Sequence, residues 1–114
     1  MEIEQLREFF EEHDFRFDSF KDSTGTEFIE METWTEGGVN MIIYLEPPNP
    51  EEFFKYVEDF NMDEEIDLHR EMKGYKKAFT ISESVKDFTK YKKRLNKVSK
   101  ELKTKMKELS SEKI

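Results

Sequence analysis

Apolar positions near the start of the chain recur at spacings of three and four residues, which is the spacing of one face of an α-helix. The positions on this stripe are Ile3, Leu6, Phe9, Phe10 and His13. The periodicity predicts a helix over residues 2–12 whose stripe faces the core.

Three following segments alternate between apolar and polar positions, as half-buried strands do. The predicted strands run over residues 15–20, 26–35 and 39–45. The segments between them, Lys21–Gly25 and Gly37-Gly38, hold the residue types that tight turns need. The two adjacent glycines indicate a hairpin between the second and third strands.

The alternation assigns each side chain of the hairpin to a face of the sheet. On the second strand the more apolar face carries Ile29, Met31 and Thr33, and the other face carries Glu30, Glu32 and Trp34. The third strand has Ile42 and Tyr44 between its other apolar residues. Because it is apolar on both sides, we expect it in the centre of the sheet.

A second helix is predicted over residues 50–61. Asn49 suits the N-cap, Pro50 suits the first helical position, and Glu52 places a carboxylate near the positive end of the helix. Apolar residues at helical spacing follow, beginning at Phe53.

The segment after this helix alternates over a few residues. Ile66 and Leu68 stand between charged neighbours, which predicts a short strand over 65–70. Lys73-Gly74 predicts a turn, and a second short strand is expected over 78–81.

The last predicted helix is the longest. It begins at one of two capping boxes, Thr80 with Glu83 or Ser84 with Asp87. Its apolar residues keep the spacing of a coiled-coil seam, at Phe88, Tyr91, Leu95, Val98 and Leu102. A helix over 83–110 is longer than so small a sheet needs, so we expect its far half to project or to pack on another chain.

Together these elements predict one α+β domain spanning residues 1–114. A small antiparallel sheet of three to five strands packs against short helices and one long C-terminal helix. The chain is 40% charged and 35% hydrophobic, but its 11 phenylalanines supply large buried areas for a core. The absence of cysteine excludes disulfides, thiolate metal sites and cysteine nucleophiles.

Charge is distributed unevenly along the chain. Residues 1–72 contain 22 acids and 5 bases, a net charge of −17, whereas residues 73–114 contain 5 acids and 14 bases, a net charge of +9. The sum is the formal charge of −8. This asymmetry indicates a charged partner, with mutual neutralisation of the two halves as the alternative.

The sequence favours a protein that is not an enzyme and holds no metal or cofactor. The two histidines, His13 and His69, lie on separate elements and lack the spacing of a helical zinc site. No glycine-flanked serine between a strand and a helix and no phosphate-binding glycine loop is present.

Two charged surfaces are candidate binding sites. The first is an acidic band, expected to form a single rigid patch that binds a protein partner lined with Lys and Arg. It comprises Glu27, Glu30, Glu32, Glu36, Asp63, Glu64, Glu65 and Asp67. Neighbouring carboxylates on one strand face stand about 6.6 Å apart, similar to phosphates along nucleic acid. Trp34 and Tyr44 are candidate aromatic anchors beside it.

The second candidate surface is the basic final helix, which can bind RNA or DNA. Its candidate contacts are Lys90, Lys93, Arg94, Lys97 and Lys100. Because lysine greatly outnumbers arginine, we expect contacts to the phosphate backbone rather than to bases. A solvated helix face that complements the acidic half is the alternative.

Three stretches of sequence resemble a known group of proteins: Gly37–Leu45, Phe60–His69 and Phe79–Phe88. They are similar to stretches of small acidic proteins carried on phages, plasmids and conjugative elements of Gram-positive bacteria, including anti-CRISPR proteins. The resemblance covers about residues 37–102. It implies a stoichiometric inhibitor that binds an RNA-guided Cas nuclease.

We therefore expect a cytoplasmic inhibitor that binds a nucleic-acid-processing enzyme, most concretely a Cas nuclease, through an acidic surface that competes with nucleic acid. The alternatives are a nucleic-acid-binding accessory protein of a mobile element and a scaffold that self-associates through the final helix. The chain would then be a monomer or a homodimer. The longest apolar run, Met41–Leu45, is too short to span a bilayer, so no membrane partner is expected.

Overall fold

The structure, a computed structural model, describes residues 1–71 and 80–112, with side chains described for residues 1–68 and 80–110. The elements are, in chain order, α1 (Ile3–Glu12), β1 (Arg16–Lys21), β2 (Glu27–Trp34), β3 (Asn40–Leu45), α2 (Pro50–Asp59), α3 (Met62–Glu71) and α4 (Ile81–Glu112). Within these residues the strands form one antiparallel sheet in the order β1-β2-β3. The α+β prediction is confirmed.

The predicted faces of the hairpin are confirmed, but β3 does not lie in the centre of the sheet that the described strands form. Ile29, Met31 and Thr33 are buried, as are the alternate residues of β3. In the described part of the chain β2 is central and β3 lies at an edge. Ile42 and Tyr44 are apolar without being buried, because they lie on the sheet face that no described helix covers.

The core lies between the other face of the sheet and the helices. Phe10 on α1 is fully buried, and its ring lies 5.5 Å from Phe15, 6.2 Å from Phe17 and 4.9 Å from Phe53 on α2. The contacts of Phe10 with Phe15 and Phe53 are edge-to-face and its contact with Phe17 is stacked, and both arrangements add to the burial of apolar area. These phenylalanines join the first strand and the first two helices into one core.

The predicted start of α2 is confirmed by its cap. The Asn49 side chain accepts a hydrogen bond from the backbone amide of Glu52 at 3.1 Å, and Pro50 occupies the first helical position. This bond satisfies one of the amides that a helix start leaves unpaired.

The predicted strand over 65–70 is wrong, since α3 is a helix over Met62–Glu71. The Asn61 side chain accepts from the amide of Glu64 at 3.1 Å, and acidic residues fill the first turn. Ile66 is buried and Leu68 is exposed, so the apolar alternation did not mark a buried strand face. The predicted turn at Lys73-Gly74 and most of the strand over 78–81 lie outside the described residues.

Helix α4 begins at the first of the two predicted capping boxes. The Thr80 hydroxyl accepts from the amide of Glu83 at 3.1 Å, and the Glu83 carboxylate accepts from the amide of Thr80 at 3.4 Å. The five seam residues named above are all buried in the core of this chain, as far along the helix as Leu102. Met106 packs against the same core. The apolar seam of α4 is therefore covered by other residues of the same chain as far as Met106.

Candidate partner-binding surface

The uncovered side of the sheet presents a mixed aromatic and acidic surface, here called the open face. Its residues alternate with buried ones along β2 and β3, and on β1 they lie on either side of the buried Phe17 and on to Phe20. The open face consists of Arg16, Asp18, Phe20, Phe28, Glu30, Glu32, Trp34, Asn40, Ile42 and Tyr44.

One end of the open face is an aromatic cluster. Phe20 on β1 lies opposite Phe28 on β2, with stacked rings 5.5 Å apart. The Tyr44 ring on β3 lies 6.4 Å from Phe28. Phe20 is 45% exposed and Tyr44 is 59% exposed. Large apolar side chains held at this exposure on a rigid sheet are typical of a surface that a partner covers.

The centre of the open face carries a net negative charge, with Arg16 on β1 directly opposite Glu32 on β2. Asp18 forms an ion pair with Arg16 on the same strand at 3.4 Å. Glu30 and Glu32, one strand across, form no ion pair with any described Lys or Arg. The Tyr44 hydroxyl donates to the Glu30 carboxylate, and this bond and charge raise the pKa of Tyr44 above its usual value of 10.0.

The other end of the open face is a second apolar cluster formed by Trp34 and Ile42. Trp34 is 50% exposed and Ile42 is 45% exposed. A cavity of about 330 Å³ adjoins Trp34 and is lined also by Asp14, Lys90 and Arg94. Such a cavity beside an exposed tryptophan can accept a side chain of a partner.

The loop at the aromatic end of the open face is fixed by one aspartate. The Asp22 carboxylate accepts from the hydroxyl of Thr24 at 2.6 Å and from the amides of Thr24 and Thr26 at 2.8 and 3.0 Å. The Thr24 hydroxyl is the largest cause that lowers the pKa of Asp22 below its usual 3.8. Gly25 takes a φ of +85°, which a residue with a side chain rarely adopts.

The structure does not bring the predicted acidic band together in one patch. Glu30 and Glu32 lie on the open face. Glu27 pairs with Lys21 at 3.7 Å, and Glu36 pairs with Lys90 at 2.8 Å. The other members of the band, Asp63, Glu64, Glu65 and Asp67, lie on α3. Because α3 packs on α4 in the helical layer, these carboxylates are separated from the open face by the core.

The predicted basic contacts are also divided. Hydrogen bonding and charge from Glu36 raise the pKa of Lys90. Arg94 donates to the carbonyl of His13 and the hydroxyl of Thr33, each at 2.8 Å. Its guanidinium also lies 4.8 Å from the ring centroid of Phe15. Arg94 is therefore a structural residue, whereas the remaining predicted contacts, Lys93, Lys97 and Lys100, are exposed.

His13 joins α1 to α4. Its Nδ1 lies 2.7 Å from the Phe9 carbonyl, and its Nε2 contacts the Glu101 carboxylate. Among the described residues, no group of three His, Asp or Glu side chains could hold a metal ion.

Three apolar members of the open face were not among the predicted site residues: Phe20, Phe28 and Ile42. Their position follows from the alternation of the strands, but their exposure does not. The prediction that β3 lies in the centre of the sheet implied that both faces of the sheet are buried. The apolar residues of the open face were therefore expected to belong to the core.

None of the helices in the described ranges is both long and apolar enough to cross a membrane. No protein-family model, no curated protein and no solved structure matches the chain.

Proposed function

We propose that this protein is a non-enzymatic binding protein that attaches to a basic surface of another protein through its open face. The observation that carries the proposal is the order of side chains on that face. Two exposed apolar clusters flank the carboxylates of Glu30 and Glu32, which form no direct ion pair with a described Lys or Arg, although Arg16 lies opposite Glu32. Interfaces of this kind combine aromatic anchors with polar groups that a partner satisfies.

The chemistry of the open face favours a protein partner over nucleic acid. Exposed aromatic rings can stack on bases, but Glu30, Glu32 and Asp18 would meet the phosphate backbone with like charge. A partner that presents Lys or Arg would instead pair with Glu30 and Glu32 while its apolar side chains cover the aromatic clusters.

For the partner we propose a nucleic-acid-processing enzyme, most concretely an RNA-guided Cas nuclease, which this protein inhibits. Such nucleases hold their nucleic acid in positively charged channels. The carboxylates of the open face complement a channel of that kind, and the sequence resemblance over residues 37–102 supports the same target. Attachment there would compete with nucleic acid.

Charge reversal on the open face tests the proposal. In the variant Glu30→Lys/Glu32→Lys, we expect binding to an immobilised Cas ribonucleoprotein to weaken at least tenfold and inhibition of DNA cleavage to be lost. The matched control is Glu64→Lys/Asp67→Lys on α3. Each variant raises the net charge from −8 to −4, since each substitution adds two charges. Equal losses in both variants would contradict a role specific to the open face.

The aromatic anchors give a second, charge-neutral test. Replacement of Trp34 by Ala should weaken binding by more than tenfold, since truncation of an aromatic anchor of an interface costs about 2 kcal/mol or more. Circular dichroism should show an unchanged fold because the side chain is half exposed. Binding of wild type should also fall steeply as salt rises. Full binding by Trp34→Ala, or affinity independent of salt, would refute the proposed surface.

A further inference from the structure

A row of lysines runs along the side of α4 that faces away from the core. The row, here called the lysine row, comprises Lys86, Lys93, Lys97, Lys100 and Lys107, and all five are exposed. Their spacings of seven, four, three and seven residues keep them on one side of a helix with 3.6 residues per turn. The lysine row can be identified only from the structure, because the buried residues of α4 show which side of the helix is exposed to solvent.

The acidic residues of α4 do not interrupt the lysine row. Within the described side chains they are Glu83, Asp87, Glu101 and Glu108, which recur along a different edge of the helix. Glu83 closes the capping box, Asp87 bonds to the β2–β3 turn, and Glu101 contacts α1 through His13. Asn96 and Thr104, which are uncharged hydrogen-bonding residues, lie among the lysines on the outer side.

The described residues before α4 form no ion pair with the lysine row, although the acidic first turn of α3 lies near it, where Met62 contacts Thr89. Lys90, just outside the row, pairs with Glu36, and Lys103 lies over the ring of Phe54. In contrast, the five lysines of the row form no ion pair with any residue whose side chain the structure describes. Their positive charge is therefore available to a ligand.

We propose that the lysine row binds the phosphate backbone of double-stranded DNA, independently of base sequence. From Lys86 to Lys107 the helix rises about 32 Å at 1.5 Å per residue. This length is close to one turn of the duplex, about 34 Å. Lysine, threonine and asparagine side chains all donate to phosphate oxygens. Lysine lacks the planar fork with which arginine reads guanine, so the contact carries no base specificity.

The carboxylates of the open face do not prevent this contact. The open-face carboxylates lie on the far side of the sheet, with the core and α4 between them and the row. A helix with its side chains is about 10–12 Å across, whereas the Debye length at physiological salt is about 8 Å. Repulsion from those carboxylates is therefore screened at the row. The lysine row and the open face are thus separate surfaces, and the proposal does not depend on the proposed protein partner.

Fluorescence anisotropy with a labelled 24-base-pair duplex tests the proposal without any protein partner. For wild type we expect binding at 25 mM salt, with an affinity that falls as log[salt] rises with a slope of up to about −4.5, from five lysine contacts at about −0.9 each. In Lys93→Gln/Lys97→Gln/Lys100→Gln, we expect affinity at least tenfold weaker and a slope shallower by about 2.7.

A control triple separates the row from net charge. Lys55→Gln/Lys92→Gln/Lys105→Gln removes three exposed lysines that lie off the row, and both triples lower the net charge from −8 to −11. We expect this control to bind the duplex within twofold of wild type. Equal weakening in both triples, binding only to an RNA hairpin or single strand, or no duplex binding by wild type at 25 mM salt would each overturn the proposal.

Discussion

The Asp87 carboxylate on α4 accepts a hydrogen bond from the Thr35 hydroxyl at 2.6 Å, across 52 positions of the chain. Its other oxygen accepts from the backbone amide of Gly37 at 2.8 Å, and the Thr35 hydroxyl accepts from the amide of Val39 at 3.1 Å. Asp87 and Thr35 are both buried. This contact fixes the β2–β3 turn, and with it the open face, to the helix that carries the lysine row.

Replacement of Asp87 by Ala should therefore destabilise the fold. The substitution removes two charge-assisted hydrogen bonds and leaves the Thr35 hydroxyl and the Gly37 amide without their partner. Hydrogen bonds to charged groups contribute about 1.5–3 kcal/mol each, so for two bonds we expect the free energy of unfolding to fall by about 3–6 kcal/mol. Urea denaturation followed by circular dichroism measures this.

The control for Asp87 is Asp67→Ala on α3, where the carboxylate is exposed. Its free energy of unfolding should stay within about 0.5 kcal/mol of wild type, as for most surface substitutions. A similar small change in Asp87→Ala would show that the buried carboxylate contributes little.

Arg94 ties the end of α1 to the end of β2. Besides His13 and Thr33, its guanidinium donates to the Trp34 carbonyl at 3.3 Å, and it packs on the ring of Phe15. We expect Arg94→Lys to lower the free energy of unfolding by about 1–3 kcal/mol, because an ammonium cannot reproduce this planar, multidentate contact. Thermal denaturation measures the effect.

Lys93→Ala serves as the control for Arg94 because its side chain is exposed on the neighbouring position. The control should leave the melting temperature nearly unchanged. If Arg94→Lys were as stable as wild type while its affinity for duplex DNA fell, Arg94 would belong to the nucleic-acid surface instead.

The parts of the fold that could be predicted from the sequence are those set by local physics. The alternation of β2 gave the face of each side chain, and the caps at Asn49 and Thr80 gave the starts of α2 and α4. Each of these features depends on residues within a few positions of one another.

The errors came from contacts between distant parts of the chain. Whether Ile42 and Tyr44 are covered depends on which side of the sheet the helices occupy, and Leu68 is exposed although it is apolar. In the sequence, Arg94 cannot be distinguished from the other basic residues of the final helix. Its hydrogen-bond partners lie about 60–80 positions away along the chain. For the same reason eight acidic residues were expected in one patch, although the core separates α3 from the open face.

The packing of the far half of α4 can be tested at Leu102, which is fully buried. Leu102→Ala should lower the free energy of unfolding by about 2–5 kcal/mol, as core leucine truncations do. The control Thr104→Ala, on the exposed side of the same turn, should change it by less than about 0.5 kcal/mol. Urea titrations compare the two. A negligible loss at Leu102 would indicate that this part of the helix projects from the core.

Tyr91 gives the protein a specific sensitivity to alkaline pH. Its ring is 2% exposed, and its hydroxyl lies 3.3 Å from that of Tyr56. Burial raises the pKa of Tyr91 well above the usual 10.0, and burial likewise raises the pKa of Tyr56. In the unfolded chain these phenols ionise near their usual pKa, while in the folded chain they keep their protons. Above pH 10 the unfolded state therefore binds fewer protons, and stability falls as pH rises.

Replacement of Tyr91 by Phe keeps the aromatic ring but removes its ionising hydroxyl. Above pH 10 the difference in bound protons between the folded and unfolded states should therefore be smaller by one. At pH 7 we expect a loss of about 1 kcal/mol from the missing hydrogen bond to Tyr56. Between pH 10.5 and 11.5 the decline of the unfolding free energy should be shallower than in wild type, by up to about 1.4 kcal/mol per pH unit. Urea titrations of both proteins at each pH measure the two slopes, and the ionising groups that do not contact Tyr91 cancel in the comparison. Parallel declines would mean that the Tyr91 phenol ionises as readily in the folded protein as in the unfolded chain.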